Sequence, residues 1–327
     1  MNELTRESMA QIAQVGVDLS KRSYQVHAIN GAGRVIKRRA MTPDRFFAWC
    51  AELRAGCMVA MEACGGAHHV ARRLIQMGLD ARLIACHLVT PYRMAGKSGK
   101  NDANDAAAIC EAASRPQMRF VAVKSVEQQA HLTVHRLREG YKSDRTAQTN
   151  RIRGLLTEFG LVFPCKPEQL RRALPDVLED ASNELPGVAR LALQQALEHW
   201  RHLDEQIAWC DERIASHVRA DARAAKAAAL HGIGPTTASA LIASVGDLAQ
   251  FANGRQFGAW LGLTPSQNST GGKTRLGRIT KRGDVYVRTL LIQGAKSALN
   301  SAHKRDGLFN ANHVPQAPPA RCKPLAA

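Results

Sequence analysis

The sequence has 327 residues, 45% of them hydrophobic, which is enough for two or three domains with real cores. Its formal net charge is +17 at pH 7, with 45 Lys and Arg against 28 Asp and Glu, and that excess points to a polyanionic partner, nucleic acid before membrane. The composition excludes a membrane span, because no run of 18 apolar residues occurs, and at 5% aromatic residues it argues against base stacking as the main binding mode. A solvated basic surface is the plainer reading of the same charge. The eight cysteines form no Cys-x-x-Cys pair and read as small buried hydrophobes in a reducing, cytoplasmic setting. Residues 1–9 hold two glutamates and no apolar core, so they do not read as a signal peptide.

In chain order, residues 12–18 read as a short apolar strand ending in Asp18. Residues 24–30 alternate as a second strand, Gly31-Ala32-Gly33 makes a tight turn, and residues 34–40 are a third strand. Thr42 and Pro43 open a helix expected to reach about residue 55. Residues 57–61 form a fourth strand with Glu62 at its end, a helix follows Gly65-Gly66 to about residue 77, and residues 80–85 are a fifth strand. A basic loop, 93–100, leads to Asn101, an N-cap candidate, and to an alanine-rich helix. Asp102 and Asp105 lie three apart on its first turn and leave the helix on one face. Three strands followed by alternating helices and strands give the order of the ribonuclease H-like α/β fold, in which strands one and four are neighbours.

From 126 to 159 the pattern is helical, with Leu132, His135, Leu137, Tyr141, Ile152 and Leu155 among many charges, and Pro164 and Pro167 interrupt it. A second long helix, 187–218, carries Leu191, Leu193, Leu197, Trp200, Leu203, Ile207 and Ile214. Two long polar helices with narrow apolar stripes suggest a helical hairpin or coiled coil that spaces two domains or joins two subunits. Residues 222–230 lead into His231-Gly232-Ile233-Gly234-Pro235-Thr236-Thr237 and a helix over 238–245. Helix, Gly-Ile-Gly, helix resembles the helix-hairpin-helix module, whose backbone amides approach a DNA phosphate, although a plain turn between packed helices carries the same glycines. Residues 255–305 contain ten Lys or Arg and a single acid, Asp284, and within them 262–283 is a polar, glycine-rich loop followed by a helix over 285–299. The tail from 301 onwards has no periodicity and reads as disordered.

The expected domains are 10–118 (the four-acid α/β domain), 119–221 (the helical hairpin), 222–300 (a mainly α C-terminal domain) and the 301–327 tail. In this fold Asp18 and Glu62 leave neighbouring strands at one sheet edge, and the helix brings Asp102 and Asp105 to it. Each acid alone reads as a cap or a solvated group. Four together need cations, and hard Mg²⁺ suits an all-oxygen set, with Mn²⁺ as a substitute. Two such ions roughly 4 Å apart can clamp the attacking and leaving oxygens of a phosphodiester.

Gly16-Val17-Asp18, Met61-Glu62-Ala63 and 100–106 carry a resemblance that resumes at 232–238, 257–265, 269–273 and 277–284. The chain resembles transposases of bacterial insertion sequences with a four-acid (Asp-Glu-Asp-Asp), RuvC-like N-terminal domain, and is similar to their relative, the pilin-gene inverting recombinase. The resemblance implies that Asp18, Glu62, Asp102 and Asp105 are the metal-binding acids. It also implies that Ser269 attacks DNA phosphate and holds a covalent phosphoserine link, with Ser266 the nearby alternative. On its own Ser269 reads as a turn hydroxyl. Lys273, Arg275, Arg278 and Lys281 are then candidate phosphate ligands, with Gly232, Gly234 and Thr236 at the second DNA contact. The family further implies double-stranded DNA as substrate, a structured noncoding guide RNA from the element, a homodimer or homotetramer, no membrane, and a place in the bacterial cytoplasm at the nucleoid. Relatives continue beyond the 299 region with a tryptophan-containing stretch, so the Pro/Ala-rich end here reads as truncated or frameshifted. Two other readings stay open: a junction-resolving nuclease in which water replaces the serine, and a nucleic-acid-binding protein without catalysis.

Overall fold

The computed structural model describes residues 9–93 and 102–302. The expected Asn101 cap, the basic loop at 94–100 and the tail beyond 302 lie outside the described residues. The chain divides into two compact units between Gln129 and Ala130.

The first unit contains β1 (Ile12–Leu19), β2 (Tyr24–Asn30), β3 (Val35–Met41), α1 (Pro43–Cys50), β4 (Met58–Glu62), α2 (Ala67–Gln76), β5 (Asp80–Ile84), α3 (Cys86–Val89), α4 (Asp102–Ala113) and β6 (Phe120–Val121). The sheet order is β3-β2-β1-β4-β5-β6. β1 runs antiparallel to β2 and parallel to β4, β4 is parallel to β5, and β6 adds antiparallel to β5. Strands one and four are therefore neighbours, as expected. The two-residue β6 had no sequence signal.

The β1 run Val15-Gly16-Val17 is apolar because both its faces are covered. Odd residues Val15, Val17, Val59 and Met61 join the core under α1 and α2, with Phe46, Trp49, Val70 and Leu74. Ala60 and Ile84 face the other way, onto Ala108, Ile109 and Ala112 of α4. The alternation fixes where the acids go: Asp18 lies two residues beyond Gly16, and Glu62 two beyond Ala60, so both belong to the α4 face. α4 rests directly on bare backbone, for a Cβ built on Gly16 would stand 2.3 Å from the Ala106 carbonyl oxygen and 2.6 Å from the Cys110 nitrogen. One turn N-terminal of that contact come Asp105 and Asp102.

α1 ends at Cys50, short of 55. Glu52 and Leu53 donate to carbonyls only three residues back, which tightens the last turn, and Gly56 then takes a positive φ of 75°. The cysteine expectation holds for Cys50, Cys57, Cys110 and Cys210, which are buried, and fails for Cys64, Cys86 and Cys165, which are exposed. Those three follow strand or loop ends, where the hydrophobicity of the residue type does not decide exposure.

α5 (Val126–Thr157) contains the division between the units. The second unit continues with α6 (Pro167–Glu179), α7 (Gly187–Ala220), α8 (Ala222–Ala228), α9 (Pro235–Val245), α10 (Gly254–Trp260), β7 (Pro265–Gln267), β8 (Leu276–Ile279) and α11 (Val285–Ala302). α5 and α7 lie antiparallel. His131 stacks on His217, Arg138 pairs with Asp211 at 2.6 Å, Arg145 with Asp204 at 3.1 Å, and Gln148 donates to the Ala196 carbonyl. Partner numbers fall as α5 numbers rise, as two helices of opposite direction require. The α7 seam is Leu193, Leu197, Trp200, Leu203, Ile207, Cys210, Ile214 and His217, stepping by three and four. Leu137, Leu155 and Leu191, expected on the stripes, are exposed instead, and the buried α5 positions include Gln148 and Thr149. Pro167 does not merely interrupt. It occupies the first turn of α6, where its missing N–H costs nothing, and Leu170 and Leu174 pack under Leu197 and Trp200.

The glycine-rich stretch 262–283 is a β-hairpin, not an irregular loop. β7 pairs antiparallel with β8, and Thr280 N to Thr264 O and Lys281 N to Gly262 O extend the ladder to its base. The base is fixed on the end of α10: Arg288, 6% exposed, donates to the Leu261 and Gly283 carbonyls.

Candidate active site

The ligand oxygens of Asp18, Asp102 and Asp105 lie within 4.8 Å of one another. Asp105 is buried, Asp18 half-buried and Asp102 exposed, so the trio opens to solvent on the Asp102 side. Glu62, the fourth predicted acid, is held by Arg93, whose Nη2 is 2.7 Å from Glu62 Oε1. The same guanidinium reaches Asp105 Oδ1 through Nε at 2.8 Å. Sequence reasoning placed Arg93 only at the start of a basic loop, and no spacing rule marks it. Burial pushes the Asp18 carboxyl up to about 6, the charges of Asp105, Asp102 and Glu62 push the same way, and Arg93 opposes them. Among the described residues, the negative charge here exceeds what its one arginine neutralises. Carboxylate oxygens alone, converging and undercompensated, fit a hard divalent cation, with Asp18, Asp102 and Asp105 as its holders and Glu62 beside them.

Ser269 is exposed at the tip of the hairpin. Its Oγ accepts from Gln267 Nε2 at 2.9 Å and from the Arg275 backbone N–H at 3.2 Å, which fixes the oxygen. Ser266 is half-buried, and its Oγ lies 2.4 Å from where a Cβ on Gly277 would be, so it packs across the two strands. Lys273, Arg275, Arg278 and Lys281 are exposed, and among the described residues none of them makes an ion pair.

The Gly232 turn has a positive φ of 84° and presses against α11, where a Cβ on Gly294 would fall 1.9 Å from the Gly232 carbonyl oxygen. Packing thus accounts for Gly232. Gly234 caps α9 in extended geometry with open space where a Cβ would stand, Pro235 removes one amide, and Thr236 is half-buried just behind it.

A second polar cluster went unpredicted. Ser239 Oγ sits 2.9 Å from His135 Nε2 and 2.8 Å from His217 Nδ1, and His135 Nδ1 is 3.0 Å from the Tyr286 hydroxyl. One proton arrangement satisfies every group: Tyr286 donates to His135, His135 to Ser239, and Ser239 to His217. Burial, aided by Arg138, His217 and His131, pushes His135 down to about 4, and burial raises Tyr286 to about 12. His135 and Ser239 are each 1% exposed, so no substrate reaches this serine. The histidine at 135 read as part of an apolar stripe, and its partners stand up to 151 residues away.

Residues 15–161 match a transposase domain of the Asp-Glu-Asp-Asp type named for IS110, and residues 224–308 match the model described as "Transposase IS116/IS110/IS902 family". The chain is 46% identical over 297 residues to a probable family 20 transposase of Pseudomonas aeruginosa, covering 90% of this chain and 87% of that one. It is 40% identical to the transposase for insertion sequence element IS1111A of Coxiella burnetii, over 90% of this chain and 80% of that one. It is 37% identical to the transposase for insertion sequence element IS1328 of Yersinia enterocolitica, over 91% and 87%. Among the described residues no helix is long and apolar enough to cross a membrane. With its three clustered aspartates, its basic hairpin and these relatives, the chain belongs to the IS116/IS110/IS902 family of insertion-sequence transposases and is an enzyme that acts on DNA.

Proposed function

We propose that this transposase cuts and rejoins double-stranded DNA through a covalent link to Ser269, assisted by a divalent cation, Mg²⁺ or Mn²⁺, held by Asp18, Asp102 and Asp105 with Glu62. The observation that carries the reading is the convergence of the three aspartates at the carboxyl end of β1, beside β4, in a ribonuclease H-like strand order. The bound cation would stabilise charge developing on the phosphate. Ser269 Oγ forms a bond to phosphorus as one phosphodiester P–O bond breaks, and the hydroxyl proton ends on the departing sugar oxygen. One phosphodiester replaces another, so the link stores the bond for rejoining. Lys273 and Arg275 share the turn with the serine, and Arg278 and Lys281 continue the basic edge along β8 toward the hairpin base, all exposed and suited to phosphate oxygens. Gly234 and Thr236 offer backbone amides at the start of α9, and Gly232 shapes that turn. The antiparallel α5–α7 pair suits a dimer or tetramer. A guide RNA from the element, read by base pairing, suits a chain this basic and this poor in aromatics.

The test is an adduct trap with RNA copurified from the native locus. A protein–DNA link that survives denaturation and vanishes in Ser269→Ala, while persisting in Ser266→Ala, supports the reading. Cleavage that persists in Ser269→Ala with no adduct assigns the chemistry to water.

A further inference from the structure

Arg93 occupies an unusual position for a charged side chain in a site built for a cation. Its backbone leaves the short 3₁₀ turn Thr90–Tyr92 in extended geometry, with its N–H bonded to the Thr90 carbonyl. The guanidinium then spans two carboxylates from different elements, Glu62 at the end of β4 and Asp105 on α4. The side chains of Glu62 and Asp105 are only 13% and 9% exposed, so both charges are largely withdrawn from water, and their arginine is 35% exposed. The contact to Glu62 is a charge-assisted hydrogen bond, the strong kind, whereas Nε meets Asp105 as an ion pair without hydrogen-bond geometry. Without Arg93, the two carboxylates would face Asp18 and Asp102 with no positive group between them among the described residues.

We infer that Arg93 is the resident counter-ion of the acid cluster, holding Glu62 and Asp105 in place until a divalent cation displaces it. The inference rests on the proposed metal site and adds a competitor to it. Asp105 belongs both to the aspartate trio and to the arginine bridge, so a cation taking Asp105 draws on the charge that Arg93 now neutralises. Two positive groups on one carboxylate repel, and metal loading therefore includes the work of releasing the guanidinium. Arg93 on this account is a positioning residue. It sets the affinity for the ion and the order of the empty site, and touches no substrate.

The experiment is a Mn²⁺ titration of the full chain, read by the electron paramagnetic resonance of free Mn²⁺, with melting curves in EDTA and in Mn²⁺. Arg93→Gln keeps amide hydrogen bonds and removes the charge. It is expected to bind Mn²⁺ about tenfold tighter, to melt lower in EDTA and to gain more on metal addition than the wild type. Arg93→Lys keeps the charge but reaches one carboxylate at a time, and is expected to fall between the two. It supplies the comparison should the glutamine variant fail to fold without metal. Asp105→Asn tests the site itself and should remove the saturable binding. If Arg93→Gln and Arg93→Lys bind Mn²⁺ as the wild type does, or more weakly, while Asp105→Asn abolishes binding, Arg93 is a structural tie and the inference is overturned with the metal site intact. If the wild type and Asp105→Asn bind alike, the metal site fails and the inference goes with it.

Discussion

Each unit of the molecule withdraws a cluster of polar side chains from water, and the two clusters are settled in opposite ways. Around Asp18 the groups carry like charge, one arginine offsets part of it, and Asp102 remains open to solvent. Around Ser239 the groups are neutral, Tyr286, His135, Ser239 and His217 are linked in one hydrogen-bonded chain, and the helices close over them. A cluster short of a cation can bind one. A buried, neutral cluster whose groups bond one another holds helices in register. A serine flanked by two histidines looks like catalytic machinery, yet exposure alone separates it from Ser269.

Substitutions should break this contrast from either side. The largest effect expected is on chemistry: Asp105→Asn should lower strand cleavage by about 10³-fold or more, while changing folding stability by no more than ~1 kcal/mol. Quantified adduct formation beside a denaturant melt checks both halves, and a melt that collapses with the activity would mean that Asp105 is structural. Ser239→Val should do the reverse. It strands ring nitrogens of His135 and His217 in the interior and should cost about 3 kcal/mol in urea unfolding, with activity per folded molecule unchanged.

Acid should move the two clusters in opposite directions. His135 titrates near 4 in the fold and near its ordinary 6.5 when unfolded, so the unfolded chain binds the proton more readily. Stability from this group is complete above 6.5 and drains away as pH falls through 4, on the order of 3 kcal/mol in all. Asp18 is the opposite case. Its folded value near 6 lies above its usual 3.8, so the fold binds that proton more readily and the strain of its charge is relieved as pH drops below 6. A His135→Leu variant should flatten the loss between pH 6.5 and 4 in a series of urea melts, and Asp18→Asn should remove the relief. The smallest effect concerns the exposed rim: Arg171→Ala, which breaks a surface pair with Asp204, should change stability by less than ~1 kcal/mol, a shift within the scatter of a thermal melt.

Much of the first unit was legible in the sequence because its signals are local. Strand alternation places Asp18 and Glu62, and the i, i+3 spacing places Asp102 and Asp105, so three of the four acids meet where the pattern puts them. What joins Glu62 to them was not legible, since an arginine 31 residues on carries no periodic mark. The second unit hid more. Its long helices followed from length and charge, but the seam phase did not, and Leu137 and Leu191 were assigned inward by residue type where geometry turns them out. Pro167 read as a breaker because proline starts and stops helices with the same letter. The hairpin bearing Ser269 lacks the alternating hydrophobics that announce strands, and backbone bonds hold it instead.

At residue 16, β1 meets α4 with bare backbone. Because helix and strand touch there main chain to main chain, the spacing of the aspartates is calibrated by the absence of a single carbon. Alanine at that place would act as a shim, pushing the first turn of α4 away from Asp18 and widening the gap between the aspartates, without altering any acid. The distance between carboxylates from two elements is thus set by a residue that has no side chain to offer.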